Sequence, residues 1–175
     1  MEVSKSVAKM ALKGKGIFDM GELYNHMKYW LDFQGYGDEN SSFKEEQYGE
    51  RIKGDAKQLE IRWVAEKKAN DYVTYRITIT FFVLGLKPVE IEQDGRKIGT
   101  NSADVDIRFE ANLILDKNKN PGGSEPKHKW KNKFFQKMYN EYVIRDRIEA
   151  HKTDLYSKIY SLHGEVKSFL NLSGN

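Results

Sequence analysis

Seven lysines, Lys117, Lys119, Lys127, Lys129, Lys131, Lys133 and Lys137, stand within 21 residues around Trp130, Phe134 and Phe135, against a single acid, Glu125. Basic side chains interleaved with aromatics are what recognition of phosphate or single-stranded nucleic acid uses, because the cations neutralise phosphates and the rings stack on bases. Lys127, Lys129, Trp130, Lys131, Lys133 and Lys137 are therefore the candidate polyanion-binding residues. The same composition also suits a soluble loop leading into a helix, since core packing alone explains the spacing of the aromatics.

Other chemistry finds less support. His26, His128, His151 and His163 show no metal-ligand spacing with one another or with a nearby carboxylate, and no His-Glu-x-x-His arrangement is present. No metal and no cofactor is expected. Gly14-Lys15-Gly16 lacks the full glycine-rich pattern and the Lys-Ser or Lys-Thr ending of a phosphate loop. No serine stands in a Gly-x-Ser-x-Gly elbow, and one sequence cannot single out a catalytic pair among 26 acids. No catalytic residue is assigned, and an enzyme is not the expectation.

Composition narrows the setting. With 175 residues, 39% of them hydrophobic, the chain is long enough for one sizeable core and is expected to form a single domain, residues 1–175. A net charge of +3 makes no strong overall field for nucleic acid or membrane. The charge is local: residues 117–137 hold seven lysines and one acid, +6, which leaves 22 bases and 25 acids, −3, for the rest. The absence of cysteine removes disulfides and thiolate chemistry and suits a reducing compartment. No apolar stretch is long enough to span a bilayer, so a cytoplasmic protein is expected.

The elements that must position these groups are legible in the periodicity. Trp130 to Leu170 reads as helix, with no proline and one glycine, Gly164. At about 1.5 Å per residue it would run roughly 60 Å, longer than the roughly 40 Å across expected of a compact chain this size, so it must bend, break or overhang. Phe134, Phe135, Met138, Tyr139 and Tyr142 form one stripe, and Ile144, Ile148, Leu155, Ile159, Leu162, Val166 and Phe169 another. The shift near Val143 predicts two helices or one bent helix. A continuous helix whose first turns meet a partner, for instance in a homodimer, is the alternative. Tyr156, Tyr160, His163 and Lys167 follow one flank of the later stripe, where a core–solvent border explains them as well as a ligand cavity does.

Upstream, Ser6 to Phe18 has strand character, its two glycines predicting a bulge or bend. Asp19 is placed to cap a helix with Glu22 three residues on, Leu23, Met27, Trp30 and Leu31 form its apolar stripe, and Gly35 ends it. From Ser42 to Asp116 the period is two, the pattern of an antiparallel sheet with one buried face. Asn70-Asp71 marks a turn, Asp94-Gly95 a hairpin, and 117–129 a loop.

The order strand, helix, antiparallel strands, long C-terminal helix predicts an α+β fold, a twisted sheet of six to seven strands with one N-terminal helix and a long C-terminal helix. This order resembles the helix-grip fold of the START and polyketide-cyclase-like superfamily, with one helix after the first strand where that family commonly has two. The resemblance implies a curved sheet wrapping the C-terminal helix, with an apolar cavity between them. The ending Glu165-Val166-Lys167-Ser168-Phe169-Leu170-Asn171-Leu172 is also similar to small archaeal proteins, which implies no function. The first functional expectation is therefore a non-catalytic protein holding an apolar small molecule or lipid, lined by Trp63, Tyr75, Phe109, Tyr156, Tyr160 and His163. The second is an RNA, ribosome or other polyanion interaction through 117–137.

Overall fold

The structure, a computed structural model, describes residues 2–39, 41–116 and 133–172, with side chains throughout these except at 133–141. Five strands, β1 (Glu2–Phe18), β2 (Ser41–Lys53), β3 (Ala56–Lys68), β4 (Val73–Gln93) and β5 (Arg96–Asp116), form one sheet in the order β1-β5-β4-β3-β2. Every neighbouring pair is antiparallel. Helix α1 (Met20–Phe33) follows β1, and α2 (Lys133–Leu172) closes the chain.

Alternation puts Leu59, Ile61, Trp63, Val73, Tyr75, Ile77, Ile79, Phe81, Val83, Val105, Ile107, Phe109, Ala111, Leu113 and Leu115 on one buried face. The helices cover that face. Met20, Leu23, Met27, Trp30 and Leu31 of α1 and Ile148, Leu155, Ile159, Leu162 and Val166 of α2 complete the same cluster. Most of these side chains have no exposed surface, and each large apolar one removed from water contributes about 1.5–3 kcal/mol.

The expected six to seven strands are five. Val89–Glu92 continues β4 and Arg96–Ile98 begins β5, so two predicted short strands belong to 21-residue ones. Gly85 and Pro88 look like breaks in sequence, yet β4 carries a one-residue bulge between Leu84 and Lys87 and pairs with β5 on both sides of it. Pro88 is tolerated because β3 pairs with β4 only as far as Leu86 and leaves that side of β4 open. The Asp94-Gly95 turn stands as expected, both residues at positive φ, 53° and 73°.

The glycines of β1 do not mark its bulge, which falls between Ser6 and Ala8. Gly14 has a packing reason instead. A Cβ there would lie 2.9 Å from Cδ1 of Leu170, so the bare backbone lets the end of α2 settle on β1.

Helix α2 is continuous over 40 residues; the change of stripe near Val143 does not break it. Among the described side chains, burial on α2 begins at Ile148, whereas Tyr142 is 67% exposed. Ile144, partly buried, also packs against the core. No helix among the described residues is long and apolar enough to cross a membrane.

Candidate functional site

A polar cluster forms where the start of β4, the loop before it, the end of α1 and the middle of α2 converge. Asn70, in the β3–β4 loop, folds its side chain back so that Oδ1 accepts from the backbone N–H of Tyr72 at 2.9 Å and of Val73 at 2.8 Å. This orientation turns its amide nitrogen outward, where Nδ2 lies 3.2 Å from Nε2 of His151. A carboxamide nitrogen only donates, so Nε2 of His151 is the acceptor and carries no proton.

The remaining protons follow in order. A neutral imidazole without a proton on Nε2 has one on Nδ1, and Nδ1 lies 2.7 Å from the hydroxyl of Tyr75. That hydroxyl, occupied as an acceptor, donates to Oδ2 of Asp154 at 3.1 Å. Asp154 Oδ2 also accepts from Nζ of Lys158 at 2.9 Å, and the ammonium sits 5.7 Å from the centre of the Tyr75 ring. His151, Asp154 and Lys158 are three and four residues apart, hence on one face of α2.

Each group is tuned accordingly. Burial lowers the pKa of His151 although Asp154 pulls the other way. Burial alone would raise Asp154, but bonds from Lys158 and Tyr75 outweigh it and hold the carboxyl below its ordinary range. Tyr75 is pushed well above the usual phenol value, by burial and then by the Asp154 charge.

Tyr36 completes the cluster. Helix α1 ends on Gly35 at φ +81°, with the N–H of Gly35 donating to Asp32 O and that of Tyr36 to Leu31 O, a Schellman closure that needs the left-handed residue. Lys67 Nζ reaches across from β3 and donates to Gln34 O at 2.7 Å. The closure turns Tyr36 into the core, where it is 1% exposed and its hydroxyl has no hydrogen-bond partner among the described residues. Burial, with Tyr75 and Asp154 nearby, pushes its pKa strongly upward.

Of the residues expected to line a cavity, only Tyr75 belongs to this cluster. Trp63 has no exposed surface; Tyr24, Phe43 and Phe81 pack edge-on around it at 4.7, 5.4 and 4.9 Å. Its Nε1–H donates at 2.9 Å to Glu45 Oε2, which also accepts from the Tyr24 hydroxyl at 2.7 Å. Phe109 is fully buried under His163, ring centres 5.8 Å apart. Tyr156 and Tyr160 stack on each other at 6.1 Å on the solvent side of α2, 47% and 61% exposed. Lys127, Lys129, Trp130 and Lys131 lie outside the described residues; Lys133 and Lys137 fall on the first turns of α2, where the backbone alone is described. Among the described residues no three metal-ligating side chains converge.

Sequence reasoning placed Asn70 in a turn and weighed His151 only as a metal ligand, and it singled out neither Asp154 nor Tyr36. The i, i+3 spacing of His151 and Asp154 was visible, but nothing in sequence joins them to Tyr75. No protein-family model matches this chain, and no curated protein is similar enough to count as a match.

Proposed function

We propose that this chain is a non-catalytic binding protein that holds a small molecule between its sheet and its C-terminal helix, at the end marked by Tyr36, Tyr75, His151 and Asp154. The observation that carries this reading is the Tyr36 hydroxyl, enclosed and without a partner among the described residues. A buried donor left unpaired costs about 1–3 kcal/mol, and a ligand with a hydrogen-bond acceptor recovers it. Trp63 and Phe109 have no accessible surface, which favours a compact molecule at the end of the layer over an acyl chain running through it. The helix-grip resemblance adds element order only.

Native mass spectrometry of the purified chain tests this reading. The wild type should retain a small molecule that Tyr36→Phe loses, while the Tyr36→Phe protein melts at the same temperature or higher because an unpaired hydroxyl has gone. Wild-type protein that retains nothing, and whose Tyr36 and Tyr75 resonances stay unmoved across a library of small polar compounds, would overturn it. A second reading, contact with RNA or another polyanion through 117–137, is favoured by one observation, the +6 charge gathered there against −3 elsewhere.

A further inference from the structure

The sheet has two edges, and β1 forms one of them, pairing only with β5. After the bulge between Ser6 and Ala8 its register runs unbroken from Ala8 to Phe18. Along such an edge alternate residues turn their N–H and C=O groups away from the sheet. Helix α2 follows this strand. Nε2 of His163 donates to Ala11 O at 3.4 Å, and Leu170 meets Gly14. From His163 to Leu170 the helix rises about 10 Å, and from Ala11 to Gly14 the strand also advances about 10 Å, so the two run side by side in one direction. Counting back from His163, Tyr160 and Tyr156 stand roughly 4 and 10 Å earlier, level with Met10 and Ala8. Asp154 meets Tyr75 and Glu165 meets His26 on the flank of α2 toward β4 and α1. Tyr156, Tyr160 and His163 lie on the opposite flank, toward the edge.

We propose that the β1 edge, beside the Tyr156–Tyr160 pair, takes an extended acidic segment of another protein as a sixth strand. The class of partner follows from the groups at the edge. Free N–H and C=O groups in alternation match another polypeptide backbone, which phosphodiester groups, acceptors only, do not. Lys9 and Lys13 are exposed on the helix-free face of β1 and have no ion-pair or hydrogen-bond partner among the described residues. Glu110 and Asp106 stand opposite them on β5, but Asp106 is paired with Arg108 at 3.3 Å and neither acid comes within ion-pair distance of these lysines. Lys15, by contrast, is taken up by Asp104 at 3.6 Å. A strand with carboxylates facing Lys9 and Lys13 pairs two charges that the fold leaves free, while its alternate side chains face the two tyrosines. The same lysines count against a second copy, because antiparallel pairing of two β1 strands about Ala11 sets Lys9 of each opposite Lys13 of the other. The chain's own 117–137 segment, at +6, is of the same sign. The β2 edge lacks this combination: a bulge between Glu45 and Gln47 interrupts it, and Glu46 and Glu50 are paired with Arg62 and Lys57.

Amide NMR of the full chain with two synthetic decapeptides, one alternating glutamate and valine and one alternating lysine and valine, tests the edge. The glutamate peptide should shift, and protect from hydrogen exchange, those alternate β1 amides between Ala8 and Phe18 that β5 leaves free; the lysine peptide should not. Lys9→Gln with Lys13→Gln should weaken that binding about tenfold, the worth of two exposed charge pairs, and Tyr156→Ser with Tyr160→Ser should weaken it severalfold. All four side chains are exposed, so far-UV circular dichroism should stay the same in both variants. A glutamate peptide that shifts no β1 amide, shifts those of β2 instead, or binds the glutamine variant equally well would overturn the proposal. So would free β1 amides protected without peptide, since the edge would then be filled by a second copy, seen as the mass of two chains in sedimentation velocity, or by the chain itself. Heparin moving the same amides as the glutamate peptide would give the edge to polyanions at large and overturn it too.

Discussion

His151 has its proton placed by an asparagine, and the placement has a pH consequence. Because Asn70 donates to Nε2, protonating that nitrogen sets two donors face to face and breaks the link between the β3–β4 loop and α2. Burial separately lowers the pKa of His151 in the fold, although the Asp154 charge pulls the other way. The sign follows from linkage: the unfolded chain binds the proton more readily, so the stabilisation is full above the ordinary histidine value of about 6.5 and is lost as pH falls below it toward the folded value. Asp154, also lowered, acts in the same direction further down, below the ordinary carboxylate value of about 3.9. Groups facing His151 are Asn70 and Tyr75 from the sheet side and Asp154 with Lys158 from its own helix. Denaturant titrations between pH 8 and 5 should show stability falling with acid in the wild type and falling less in His151→Asn. Equal slopes would remove His151 from the pH response. None of this was readable beforehand, since Tyr75 and Asn70 meet His151 across 76 and 81 positions; spacing rules see neighbours on one element, and this cluster is made by three.

Elements were more legible than the contacts between them. The period-two pattern found the buried face because one side of the sheet packs and the other is wet, and the 3.6-residue pattern found both helices. What failed was continuity: a glycine and a proline near 85–88 look the same in sequence whether a strand stops or bulges, and only the partner strand decides. The stripe change in α2 likewise suggested a break where the helix runs on unbroken. Local signals fared best where backbone groups demand them. Asp19 Oδ1 accepts from the N–H of Glu22 at 2.9 Å, satisfying a helix N-terminal donor that has no partner within the helix. Asp19→Ala should destabilise the fold by about 1 kcal/mol, read as a lower midpoint in urea with an unchanged slope. A midpoint that does not move would show that water serves that donor equally well.

At the scale of the whole molecule the charge is unevenly divided, +6 on residues 117–137 and −3 on the other 154. The basic segment leads into α2, whose first turns add Lys133 and Lys137 to its charge. Attraction between such a segment and a polyanion would be electrostatic and blind to sequence. If the segment binds RNA, affinity should fall steeply with salt as neutralised phosphates release counterions. Changing Lys129, Lys131 and Lys133 to glutamine should flatten the slope of log affinity against log salt by about 2–3, because each lost contact removes about 0.7–0.9 from it. Trp130→Ala should cost a further 1–3 kcal/mol or so of binding where the ring stacks on a base, and stability instead where the ring packs against protein. Filter binding at low salt separates these outcomes, and no association with single-stranded RNA, duplex RNA or heparin would leave the lysines with solubility as their only role.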